Sequence, residues 1–283
     1  MSAQTVTRAL INDTDANFRL WGKAISDQFA AGGMIQTPDT GQINWATVLT
    51  PAAVSTYQGY EIWRSNDAGG SLVNWYMKIQ YGSNSTAANQ PRVSIQFGWG
   101  SNGSGTLTGT TNTAMTPQLN TTATTTLMNC NLSVGTGWHI MVLGTVTNNN
   151  MFFSVERTRD SANAFQNELL IVAQDANTWK SQVLTQTVAY PTESTTAAAI
   201  IPTAANSVQG GVVGLGLQFG NRGGFTNPSM NLFGVNASQL GSAQTQLTIN
   251  TYGANHNYIL NPPSITGLQF AGISTTMILQ RFE

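Results

Sequence analysis

The sequence predicts a mainly β protein, an antiparallel β-sandwich or jelly-roll-like fold with one N-terminal amphipathic helix packed on a sheet. Three observations lead there. Short apolar-alternating runs recur along the chain, separated by Gly, Asn, Pro and Thr, the pattern of strands joined by turns. Only one segment carries helical spacing. A hydrophobic content of 41% with seven Trp supplies a large core beneath a polar surface and argues against disorder.

The helix is placed at 12–33. Asn12, Asp13 or Thr14 can cap it, Phe18, Trp21, Ile25 and Phe29 form a stripe at spacings of three and four, and Gly32-Gly33 stops it. The early strands are Ile43 to Leu49, Tyr60 to Arg64, Val73 to Tyr81, Arg92 to Trp99, Trp138 to Val146 and Met151 to Thr158. The later ones are Leu169 to Ala173, Trp179 to Tyr190, Val212 to Phe219, Met230 to Val235, Leu247 to Tyr252 and Thr275 to Phe282. Two stretches, Thr-rich 106–126 and Pro-, Thr- and Ala-rich 191–207, read as surface loops or as arms reaching a neighbouring subunit. Residues 1–283 form one large β-rich domain. A change of sub-domain near 191–207 is the other organisation, since all the Trp fall between Trp21 and Trp179 and no acidic residue lies between Glu193 and Glu283.

Charged residues are 8% of the chain, against roughly 25% in an average soluble domain. Thr, Asn, Ser, Gln and Gly stand where Lys and Glu are usual. With a net charge of -1, repulsion between copies is weak, which favours association. The Lys and Arg are scattered rather than clustered, so direct nucleic-acid binding is not expected. Met1 to Ile11 lacks an apolar core of signal-peptide length, and no apolar run is long enough to span a bilayer. No membrane association and assembly in a bacterial cytoplasm are expected.

Chemistry has few places to hide. Glu61 with Asp67 and Glu156 with Asp160 are the acid pairs to consider for hydrolysis. Turns or ion pairs to Arg64, Arg157 or Arg159 explain them without catalysis. His139 and His256 are the only histidines and neither has a second metal ligand at suitable spacing. His139 reads as a strand residue. Cys130, the sole cysteine, reads as a buried structural thiol and excludes an internal disulfide. The run Gly98-Trp99-Gly100-Ser101-Asn102-Gly103-Ser104-Gly105 lacks the Lys of a phosphate-binding loop, and Gly220-Asn221-Arg222-Gly223-Gly224 reads as a turn. No catalytic residue, metal site or cofactor is expected.

Several phrases carry a resemblance: Asn17-Phe18-Arg19-Leu20-Trp21-Gly22, TPDTGQINWATV (37–48), GYEIWR (59–64), KIQYG (78–82), GSNGSGTLTG (100–109) and FFSVERTRD (152–160). Together, over residues 12–160, they resemble virion structural proteins of tailed bacteriophages. The last third resembles nothing specific. The resemblance implies a non-enzymatic particle component of the tail, baseplate, collar or head decoration, with copies of itself and other virion proteins as partners. Its location would be the virion. The alternative is a glycan-binding β-sandwich module of a fibre, with Trp99 beside its glycines as the platform for a host saccharide.

Overall fold

A computed structural model describes the backbone of 2–9, 11–66, 74–110, 114, 127–135, 138–145, 149–159, 165–175, 178–187, 190–194, 200–209, 212–221, 224–225, 229–236, 246–251, 253–261 and 276–283. Side chains are described chiefly for 3–6, 11–66, 74–110, 128–135, 138–144, 246–250, 253–261 and 279–283.

Thr14 is the cap that forms. Its hydroxyl accepts the Asn17 amide at 3.1 Å and opens α1 (Asp15–Ala31). Gly33, at φ +86°, takes the left-handed turn that ends the helix. Around α1 run β1 (Ser2–Ala9), β2 (Ile35–Gln36), β3 (Tyr57–Arg64), β4 (Tyr76–Ser83), β5 (Pro91–Gly98), β6 (Gly100–Ser101) and β7 (Leu107–Thr108). Next come β8 (Leu127–Gly135), β9 (Trp138–Thr145), β10 (Asn149–Arg159), β11 (Phe165–Asp175), β12 (Thr178–Thr187) and β13 (Tyr190–Ser194). The chain closes with β14 (Ile200–Gln209), β15 (Val212–Asn221), β16 (Gly224–Phe225), β17 (Ser229–Asn236), β18 (Gln246–Thr251), β19 (Ala254–Leu260) and β20 (Thr276–Arg281).

Every described strand pair is antiparallel. One sheet has the order β2-β3-β4-β5, a second β1-β8-β9-β10-β11-β12-β13, and a third β14-β15-β17-β20-β19-β18 with β16 beside β15. Among the described residues the fold is mainly β and antiparallel with one N-terminal helix, as the sequence predicts.

The helix stripe lies between two sheets. Phe18, Trp21, Ile25 and Phe29, all 0% exposed, meet Met77, Ile79, Tyr81, Val93 and Phe97 of the four-stranded sheet and Met128, Cys130 and Leu132 of the second sheet. Strand alternation turns Asn131 and Ser133 to the other face of β8. There they meet the third sheet through hydrogen bonds. Asn131 donates to Asn261 (2.7 Å), Asn261 donates to Gln280 (3.2 Å), and Gln280 donates to Ser133 (2.8 Å) and to the Ile140 carbonyl (3.0 Å). All four side chains are 0% exposed. This amide seam fixes one register for the sheet-on-sheet contact, because any slip leaves buried amides unpaired.

Several expectations need correction. Ile43 to Leu49 is not a strand: the Asn44 carbonyl accepts the Thr47 and Val48 amides, its side chain accepts the Ala46 amide, and the segment closes into a turn. Ile43, Trp45 and Val48 still reach the core from that turn. Trp179 to Tyr190 divides into β12 and β13. The reading of 191–207 as loop or arm gives way at 191–194 and 200–207 to β13 and β14, whose backbone pairs with β12 and β15; 195–199 lie outside the described residues, and Pro202 is accommodated beside a register shift. β13 closes one sheet and β14 opens the next. Most of 106–126 lies outside the described residues, although Leu107–Thr108 pairs with Gly100–Ser101.

Gln280→Ala should lower stability by about 2–3 kcal/mol, because Asn261 and Ser133 lose buried partners. Asn66→Ala, at an exposed position, should change it by less than about 0.5 kcal/mol. Urea-unfolding midpoints of the two variants check this.

Candidate functional site

Glu61 is the most deeply placed acid among the described residues, at 1% exposure. It sits within β3 rather than at its end and points toward α1. Its Oε1 accepts the Ser26 hydroxyl (2.7 Å) and the Trp45 indole N–H (2.9 Å); its Oε2 accepts the Tyr81 hydroxyl (2.8 Å) and the Trp63 indole N–H (3.2 Å). Two donors on each oxygen fill the acceptor positions of a carboxylate. The ion pair to arginine anticipated for Glu61 is replaced by this neutral cage. Burial, and then the Glu61 charge beside it, pushes the Tyr81 hydroxyl well above its usual range, so Tyr81 stays a donor. Gly22 makes room for the cage, since a Cβ there would meet the Trp45 ring at 2.0 Å.

A second carboxylate, Asp39, ties two surface loops together. It accepts the Ser101 hydroxyl, the Thr37 hydroxyl (2.6 Å) and the Gly105 amide (2.9 Å). Burial acts to raise its carboxyl, but those hydrogen bonds and the Lys78 charge outweigh burial and hold it below the usual carboxylate range. Lys78 donates to the Gly105 carbonyl (2.7 Å) and lies 4.6 Å from the centre of the Tyr60 ring. Gly105 is required twice over. Its φ is +88°, and a Cβ would stand 2.3 Å from the Tyr60 hydroxyl.

The third cluster closes the chain. Glu283 contacts His256 Nδ1 at 2.5 Å and accepts Arg281 Nε at 2.7 Å. Burial opposes ionisation there, yet the hydrogen bonds from His256, Arg281 and the Asn257 amide, with the Arg281 charge, lower the Glu283 carboxyl. Next to it the hairpin β18–β19 shows an uncharged face. Thr248 donates to Asn257 (2.9 Å) and Asn250 to Asn255 (3.0 Å), and Gln246, Thr248, Asn250, Asn255 and Asn257 are exposed.

The other sequence candidates fall as follows. His139 is 3% exposed and stands edge-on to Trp75, with ring centroids 5.4 Å apart, as a strand residue of the core. Cys130 is 0% exposed, and burial pushes its thiol far up, as a structural thiol requires. Trp99 is partly buried and packs against the core, with its indole N–H buried. Asp67, Asp160 and Arg222 lie outside the described residues, as do the side chains of Glu156, Arg157 and Arg159. Among the described residues no group of three or more His, Cys, Asp or Glu is placed to hold a metal ion. No helix among them is long and apolar enough to cross a membrane.

The sequence reading missed Asp39 and Glu283. Asp39 sits in Thr37-Pro38-Asp39-Thr40-Gly41, which signals a turn but not its far partners. Comparison of the chain with family models, curated proteins and solved structures returns no match.

Two outcomes follow from these geometries. Tyr81→Phe removes one of the four donors to Glu61 and should cost about 1.5–3 kcal/mol, and Glu61→Gln, which turns an acceptor into a donor facing donors, should cost more; both are read as shifts in urea midpoint. Asp39, lowered from 3.8, stabilises the fold fully above that value and loses its contribution as pH falls below it. Asp39→Asn should therefore be less stable at pH 7 and show a shallower loss of thermal stability between pH 4 and about 2.

Proposed function

We propose that this chain is a non-enzymatic structural subunit of a tailed-bacteriophage particle, acting through permanent contacts with copies of itself and with other virion proteins. The observation that carries the reading is where charge goes. Glu61 and Asp39 are buried and held by donors of their own fold, and Glu283 is clamped by His256 and Arg281. The exposed Lys23 and Asp27 pair with each other along α1 at 2.5 Å. The hairpin face is left with amides and hydroxyls. Neutral groups lose less on desolvation than ions do and can hydrogen-bond across a seam, which suits lasting association.

The carboxylates in these clusters serve the fold rather than turnover. A general acid or base needs an oxygen within reach of substrate, and both oxygens of Glu61 are engaged inside the core. The phage attribution is supported by the phrases between residues 12 and 160. Tail, baseplate, collar and head decoration share the chemistry of the proposal.

Contacts made by neutral faces resist salt, because there is little charge for counter-ions to screen. In sedimentation velocity the purified chain should self-associate, with an affinity that changes less than about twofold between roughly 0.05 and 0.5 M NaCl. A chain that remains monomeric at every concentration and is absent from particles overturns the proposal.

A further inference from the structure

We infer that the exposed face of the β18–β19 hairpin, the row Gln246, Thr248, Asn250, Asn255 and Asn257, is a contact surface for a second copy of this chain. The inference rests on the structural role proposed above and gives that role a location.

The row is a product of register. Thr248 lies opposite Asn257, Asn250 opposite Asn255 and Gln246 opposite the buried Ile259, so the five polar side chains share one face, exposed beyond Ile259, while Ile249, Tyr258 and Leu260 are buried on the reverse face. The cross-strand hydrogen bonds between the pairs order the face before any partner arrives. Ordering in advance lowers the side-chain entropy lost on contact.

Charge decides the occupant. From Gly223 to Gln280 the sequence holds no Asp, Glu, Lys or Arg, and Arg281 and Glu283, beside the hairpin, are engaged with each other at 2.5 Å. A charged partner would therefore meet no counter-charge in the row. Amide and hydroxyl side chains each carry a donor and an acceptor, so the row is complementary to its own image under a twofold axis, as a contact between identical subunits requires. A face carrying a single sign of charge would repel its copy. β14 lies near β18 without hydrogen-bonding to it, so the face is assigned as the contact rather than the strand edge. Five residues make a smaller patch than the 20–30 a side of a standard interface. The row is the register-setting part of a larger contact.

Cysteine trapping in the full chain tests this cleanly, since Cys130 is buried and does not compete. Thr248→Cys and Asn255→Cys are compared with Ala30→Cys on the exposed side of α1. Under mild oxidation at least one hairpin variant should form disulfide-linked dimer about tenfold faster than Ala30→Cys, the mark of a high local concentration; equal or slower dimer formation by both overturns the assignment. The charged variant Thr248→Lys with Asn257→Lys should keep the thermal unfolding of the parent chain and weaken its self-association by about tenfold or more. Undiminished association of that folded variant overturns the hairpin contact and leaves the structural role standing. A parent chain that never self-associates overturns the hairpin contact, and one that is also absent from particles overturns the structural role as well.

Discussion

The interaction on which the rest of the structure depends is the four-donor cage around Glu61. Ser26 belongs to the helix, Trp45 to the turn that replaces an expected strand, Trp63 to the same strand as Glu61, and Tyr81 to its neighbour. One side chain thus joins four pieces of chain. A carboxylate in an apolar setting is tolerated only when its oxygens are filled, so the cage holds together or fails together. Helix, turn and sheet are bound to a single mutual placement, which apolar contacts alone specify less sharply.

Around that centre the fold is layered. The stripe of α1 separates the four-stranded sheet from the first long sheet, and the reverse face of β8 meets the third sheet through the amides of Asn131, Asn261 and Gln280. Apolar packing on one side of β8 and amide pairing on the other do different physical work. The first supplies most of the area removed from water. The second adds direction and rejects slipped registers.

The same amide chemistry recurs at the surface, and this links the fold to the proposed contact. Inside, Asn and Gln pair with each other across sheets; outside, Thr248, Asn255 and Asn257 carry equivalent groups at the surface. Three acids of the described body, Glu61, Asp39 and Glu283, serve as internal ties, while Asp13 and Asp27 stay exposed on or beside α1.

Much of this was legible in the sequence. The period of Phe18, Trp21, Ile25 and Phe29 fixed the helix and its buried side, and alternation located most of the strands, because both are local patterns of burial. Composition alone showed a chain short of ionic groups. The turn at Asn44 and the strands β13 and β14 were not legible, since side-chain capping overrode alternation in the first and partner strands supplied ladder bonds to polar, Pro-containing segments in the others. Nor was the role of Glu61, of Asp39 with Ser101, or of Gln280 with Ser133. These pairs lie 35, 62 and 147 residues apart for Ser26–Glu61, Asp39–Ser101 and Ser133–Gln280. The sequence by itself determined which side of each element is apolar; only the tertiary structure decided which buried polar groups meet, because a hydrogen bond depends on positions in space that local periodicity does not encode.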